Sequence, residues 1–93
     1  MVTHIVLVKL KDQADRDETI RRLRSLDGNV DVLRSLQVGG DVLRSERSYD
    51  VALIATFDSL DDLGTYNTDP FHQEVITYIR GVAERVHTVD FEA

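Results

Sequence analysis

A tyrosine and a histidine, Tyr66 and His72, lie six residues apart on either side of a predicted helix break. Asp69 is a favourable N-cap residue and Pro70 suits the first helical position, so a new helix should begin there. His72 then falls in the first turn, where unpaired N–H groups carry partial positive charge and disfavour a second positive charge. His72 is therefore expected to be neutral near pH 7 and able to act as a base.

The same two residues also have an ordinary structural interpretation, in which Tyr66 fills the core and His72 caps local backbone groups. Metal chemistry has little support, because the three histidines, at positions 4, 72 and 87, form no i, i+4 pair. The acidic run 58–62 lacks the glycine and terminal glutamate of a calcium-binding loop. With no cysteine, thiolate catalysis and thiolate metal sites are excluded. We therefore expect no metal and no cofactor.

Charge and hydropathy exclude two classes of partner. A net charge of −6 argues against nucleic-acid binding, which depends on Lys and Arg contacts to phosphate. The arginines of the first predicted helix are interleaved with acidic residues, a pattern typical of a solvated helix face. No apolar run approaches the roughly 20 residues of a membrane span, and the N-terminus has no targeting pattern. A cytoplasmic protein without a membrane partner is expected.

Alternating and helical hydrophobic patterns define the elements that must position the tyrosine and histidine. His4 and Val6 share one face of the first predicted strand. The predicted elements are a strand over 2–10, a helix to about residue 26, strands over 36–44 and 49–57, a helix from Ser59 to Tyr66, a helix with an apolar stripe running to Val86, and a strand over 87–91.

The resulting order is β-α-β-β-α-β, with the last helical segment split in two. This order predicts an α+β fold in which a four-stranded antiparallel sheet carries helices on one face. Both faces of the strands are apolar, so a monomer would expose a patch of several hundred Å². We therefore predict one domain over residues 1–93 that forms a homodimer through its bare sheet face.

Four segments together resemble the stress-responsive A/B barrel (Dabb) family over essentially the whole chain. They are the opening strand 4–11, the glycine segment 38–41, the third strand with its helix start at 48–59, and the run 66–72, which is similar to the family motif Y-x-x-H-P-x-H. Asp69 stands where that motif commonly has its first histidine. The resemblance implies a ferredoxin-like fold and a dimeric α+β barrel.

The resemblance also implies site residues. In a plant polyketide cyclase of this family, the motif tyrosine and final histidine are the catalytic pair, and they match Tyr66 and His72. The first-strand histidine beside that pocket matches His4. From strand alternation, Val6 and Leu53 are predicted to supply an apolar wall of the kind that small-molecule pockets need. The first helix matches the aromatic lining of the cyclase pocket poorly.

Two functions from different classes remain open on the sequence. In the first, a dimeric stress-responsive barrel protein binds a small apolar carbonyl or aromatic ligand near Tyr66 and His72. In the second, a cofactor-free cyclase, lyase or isomerase uses His72 as general base and Tyr66 as hydrogen-bond donor. Whether the protein is an enzyme is left open. A cavity of roughly 300 Å³ that reaches both side chains would favour a ligand site over a filled interior.

Overall fold

A computed structural model of the protein describes all of residues 1–93. Its elements follow the predicted order. They are, in chain order, β1 (Val2–Leu10), a 3-10 turn (Gln13–Asp15), α1 (Arg16–Arg24), β2 (Ser35–Gly40), β3 (Val51–Phe57), α2 (Leu60–Thr68), α3 (Pro70–Val82) and β4 (Ala83–Glu92).

The four strands form one sheet in the order β2-β3-β1-β4, and all neighbouring strands are antiparallel. The predicted α+β class and the β-α-β-β-α-β layout are confirmed. β1 and β3 occupy the two central positions, and the β-branched sequence of β1 pairs along both of its edges. Directly opposite residues in this sheet share a face, so Val6 of β1 and Leu53 of β3 point to the same side.

The helices cover one face of the sheet, which we call the helix-facing side, and the core lies between them. Val8, Leu53 and Phe57 contribute from the strands, while Leu23 and Tyr66 contribute from the helices. The alternation of β1 and β3 fixes this arrangement, because every second residue of both strands is buried, except that Val6 of β1 is only partly buried. This layer positions the side chains of the candidate site.

The opposite side of the sheet, which we call the open face, has no covering element in the chain. Leu7, Ile54, Val89 and Phe91 lie there, with between 38% and 60% of their surface exposed. Apolar exposure on this scale is unusual for a soluble monomer and is typical of an interaction surface.

The second strand is shorter than predicted and ends at Gly40 rather than at residue 44. Residues 41–44 instead form a turn that is closed by hydrogen bonds to polar groups. The backbone N–H of Arg44 donates to the Asp41 carboxylate over 2.6 Å, and the Asp41 N–H donates to the Asp50 carbonyl over 2.9 Å. Arg44 has a left-handed φ of 57°, which no β-strand accommodates.

The helical stripe predicted to reach Val86 ends earlier, and this prediction was wrong. α3 stops at Val82, and β4 begins at Ala83, so Val86 lies opposite Val8 in the sheet. An apolar run with helical spacing can also satisfy a strand, and pairing with the long β1 decides the outcome here. None of the helices combines the length and apolar character that crossing a membrane requires.

Candidate functional site

The break between α2 and α3 brings Tyr66 and His72 together. The Asp69 carboxylate accepts hydrogen bonds from the backbone N–H groups of Phe71, at 2.8 Å, and His72, at 3.3 Å. Pro70 occupies the start of α3, where its missing N–H leaves no bond unmade. Tyr66 therefore lies in the last turn of α2 and His72 in the first turn of α3, as the sequence predicts.

The rings of Tyr66 and His72 stack, with centroids 3.8 Å apart and planes 28° apart. Both side chains are buried, with only 1% of Tyr66 and 8% of His72 exposed. A stacked arrangement does not join the phenol and imidazole by a hydrogen bond. The Tyr66 hydroxyl can therefore bond to a third group, whereas Nδ1 of His72 is enclosed by protein.

The imidazole of His72 is unusual because its Nδ1 is the one buried side-chain nitrogen or oxygen of the protein with no hydrogen-bond partner. Burial lowers the pKa of His72 below its ordinary value, although the nearby backbone of Tyr66 and Asn67 partly opposes this effect. Burial raises the pKa of the Tyr66 hydroxyl. Near pH 7 the site therefore holds a neutral imidazole beside a protonated phenol.

His4 is the third polar ring of the site. It lies on the helix-facing side of β1, with its ring centroid 5.9 Å from that of Tyr66. Its Nδ1 pairs with the carboxylate of Asp90 on β4, the residue directly opposite in the sheet. A carboxylate at Nδ1 orients the imidazole and favours the tautomer that carries its proton there.

A cavity of about 300 Å³ lies between the helices and the helix-facing side of the sheet. All five side chains predicted as site residues, His4, Val6, Leu53, Tyr66 and His72, line it. Its other walls are mainly apolar and come from β1, α1, α2, α3 and β4. They consist of Val8, Leu23, Val75, Ile76, Ile79 and Val86 together with the polar Asn67, Arg80 and Thr88.

Sequence reasoning missed four polar residues at or beside this cavity: Asn67, Arg80, Thr88 and Asp90. Arg80 could have been predicted from helix spacing, because it lies eight residues after His72 and so falls on the same helix face. Thr88 and Asp90 could have been found only from the β1–β4 register. Across residues 1–93, no group of His, Asp or Glu side chains is arranged to hold a metal ion.

Comparison with known proteins agrees with this architecture. The family model described as Stress responsive A/B Barrel Domain, or Dabb, matches residues 2–93. The chain belongs to the Dabb family. The family predicted from the sequence motifs is thereby confirmed. A relative of this Dabb protein, an uncharacterised protein of Streptomyces coelicolor, is 31% identical over 97 residues, which cover 99% of each chain.

Two solved structures illustrate the fold. A dimeric protein of unknown function with a ferredoxin-like fold, from Bacteroides fragilis, superimposes with a TM-score of 0.87 at 29% identity, covering 99% of this Dabb chain and 95% of its own. Hydroxynitrile lyase from Passiflora edulis has a TM-score of 0.83 at 20% identity, covering 97% and 90%. The second likeness shows the fold alone.

Proposed function

We propose that this Dabb protein binds a small, mainly apolar ligand with a carbonyl group in the cavity beside Tyr66 and His72. The observation that carries the proposal is the cavity of about 300 Å³, whose apolar walls converge on a phenol and an imidazole. Pockets for small molecules combine such walls with a few placed polar groups. The volume lies at the lower end of the range that is typical of small-molecule pockets.

The two rings suit a carbonyl compound in different ways. A protonated Tyr66 hydroxyl can donate to a carbonyl oxygen. The Nδ1 atom of His72 is enclosed by protein, so Nε2 is the nitrogen through which this ring would meet the ligand. His4, held by Asp90, would fix the position of the same group from the sheet side.

Homodimerisation through the open face belongs to the same proposal. The structurally similar protein from Bacteroides fragilis is dimeric. The exposed apolar residues of the open face give such a contact its driving force. A partner sheet on this side leaves the cavity on the helix-facing side untouched.

Cofactor-free catalysis is a second candidate, and the neutral His72 beside a protonated Tyr66 favours it. In this scheme His72 takes a proton from the carbon α to the ligand carbonyl, and Tyr66 donates to the developing oxyanion. The Passiflora edulis lyase shares only the fold, so it shows that such a barrel can hold a lyase. The enolate would then either add to a second carbonyl group of the ligand and close a ring, or expel a β-leaving group, and the proton held by His72 would return to the alkoxide or leaving group so formed.

Ligand binding can be tested by thermal shift and calorimetry with aryl methyl ketones, lactones and short β-keto esters. We expect stabilisation of the wild type that is lost in Tyr66→Phe and His72→Gln. Tyr78→Phe is the matched control, because Tyr78 also lies in the helical layer but does not line the cavity. Equal stabilisation of all four proteins, or of none, would count against the proposed site.

Catalysis is tested separately by following exchange of α-protons for deuterium in any ketone that binds. We expect exchange with wild type to slow by about 10²-fold or more in His72→Gln, since acid–base assistance contributes factors of about 10² to 10⁴. Binding without protein-dependent exchange would contradict the catalytic scheme and support ligand binding alone.

A further inference from the structure

One charged side chain occupies a position on α3 where the helix pattern calls for an apolar one. His72, Val75, Ile76 and Ile79 line the cavity at the i, i+3, i+4 and i+7 positions of a single helix face. Arg80 follows at i+8 on that face and lines the same cavity. Arg80 is itself exposed, so its side chain lies at the solvent-facing rim of the proposed ligand site.

Arg80 has no carboxylate within salt-bridge distance, a property it shares with Arg16, Arg24, Arg47 and Arg85. Arg21 and Arg22 pair with Glu18, whereas Arg34 pairs with Asp58. Arg44 contacts both Asp41 and Asp50. Of the five arginines without such a partner, Arg80 is the one that lines the cavity, so its charge can reach a ligand held there.

We infer that Arg80 selects a ligand that carries a carboxylate at the end opposite its carbonyl group. This inference rests on the proposed function, because it assigns the second end of the same ligand. A guanidinium recognises a carboxylate through two parallel N–H···O bonds, which give both affinity and orientation. A phosphate fits less well, since phosphate sites usually add backbone N–H groups at a helix N-terminus, whereas Arg80 lies in the last turn of α3.

Helix geometry sets the separation between the two ends of such a ligand. Eight residues of α-helix rise about 12 Å between His72 and Arg80. The long Arg80 side chain leans toward the helix N-terminus, which brings its charge closer to His72. A carbonyl at the ring pair and a carboxylate at Arg80 would thus lie roughly 6–10 Å apart. Keto acids with a short rigid or aromatic spacer meet this requirement.

The test compares para-acetylbenzoate with its methyl ester, which keeps the ketone and the ring but removes the charge. We expect wild type to bind the acid more tightly than the ester, and rising ionic strength to weaken only the acid. Arg80→Gln should weaken acid binding by roughly 10- to 100-fold, as expected for a lost charge-assisted bond, and leave ester binding unchanged. Arg80→Lys should recover part of the loss.

Arg21→Gln is the matched control, because it removes the same charge from an exposed position of α1 outside the cavity lining. Acid binding that falls equally in Arg21→Gln and Arg80→Gln would overturn the inference, since a general charge effect would explain it. Equal affinity for acid and ester in wild type would overturn the inference while leaving the proposed function intact. Failure of both probes to bind would count against the proposed function itself.

Discussion

The imidazole of His4 pairs with the carboxylate of Asp90, although 86 residues separate them in the chain. The contact joins the first and last strands on the side of the sheet that faces the cavity. This pairing holds the His4 ring in one orientation beside Tyr66. The carboxylate end of this pair is 39% exposed, so its energetic weight is limited by solvent.

Replacing Asp90 with alanine should free the His4 ring without unfolding the protein. We expect the free energy of unfolding to fall by about 0.5–1 kcal/mol, because a partly exposed charged hydrogen bond contributes in that range. Urea unfolding measures this change. Ring-nitrogen NMR should show His4 protonated at Nδ1 in the wild type and a mixture of tautomers in the variant.

Asp90→Asn is the companion variant, since its amide oxygen can still accept from Nδ1. It should keep the wild-type tautomer and lose less stability than Asp90→Ala. If both variants show the same His4 tautomer as the wild type, the carboxylate does not set the ring orientation.

The break that creates the site could be predicted from sequence because its causes are local. Asp69 and Pro70 each have a positional preference that depends on a few neighbouring residues. The pattern of β1 likewise indicates which side of the strand His4 and Val6 share. Local propensity and alternation were therefore enough to define the order of the elements, and together with the family motif they identified five of the 14 residues that line the cavity.

The rest depended on pairing between distant segments. Asp90 reaches His4 only because β4 pairs with β1 in one register, and a shift by one residue would turn Asp90 to the open face. The segment 83–86 has a spacing of apolar residues that is compatible with both helix and strand, and its pairing with β1 makes it a strand. Close packing around the stacked Tyr66 and His72 rings is equally a tertiary property, absent from any local pattern.

Acid should destabilise the wild type partly through His72. The pKa of this buried imidazole lies below its ordinary value of 6.5. As pH falls below 6.5, the unfolded chain binds a proton before the folded protein does, so the free energy of unfolding decreases. The contribution from keeping His72 neutral is fully present above pH 6.5 and is lost as pH falls through the folded-state pKa.

His72→Gln removes this titration but keeps a polar side chain of similar length. Its free energy of unfolding should therefore fall less steeply than that of the wild type between pH 7 and pH 5, as measured by urea titration at each pH. Histidine C–H chemical shifts in NMR give the His72 pKa directly. A value at or above 6.5 would refute the prediction.

Gly40 and Arg16 are predicted to be coupled. The Arg16 guanidinium donates to the Asp41 carbonyl over 2.7 Å and lies against the Gly40 backbone. A methyl group at Gly40 would overlap this guanidinium, with only 2.6 Å to its Nε atom. Because the obstacle is the end of a flexible side chain, Gly40→Ala should displace Arg16 and destabilise the protein by about 1 kcal/mol through the lost hydrogen bond.

A double-mutant cycle tests this coupling by chemical denaturation. Once Arg16 is replaced with alanine, Gly40→Ala should become neutral or stabilising, because alanine restricts the unfolded chain more than glycine does. Gly39→Ala is the control, since a methyl group there meets no atom within 4 Å. Additive effects of the Gly40 and Arg16 substitutions would show that the contact is not what constrains Gly40.

Dimerisation through the open face makes the sharpest prediction about assembly. Ile54, Ile5 and Val89 stand side by side across three neighbouring strands of that face. In a two-fold symmetric contact each subunit presents the same patch, so one substitution alters both sides of the interface. Ile54→Lys would place two ammonium groups against apolar surface, where neither finds a partner or water. The variant should therefore be monomeric in light scattering at concentrations where the wild type is dimeric, yet keep its helix and strand content.

Val42→Lys is the matched control, since Val42 is 93% exposed in the loop after β2 and lies outside the sheet. A dimer that survives Ile54→Lys and Val89→Lys but dissociates in Val42→Lys would move the interface from the sheet to that loop.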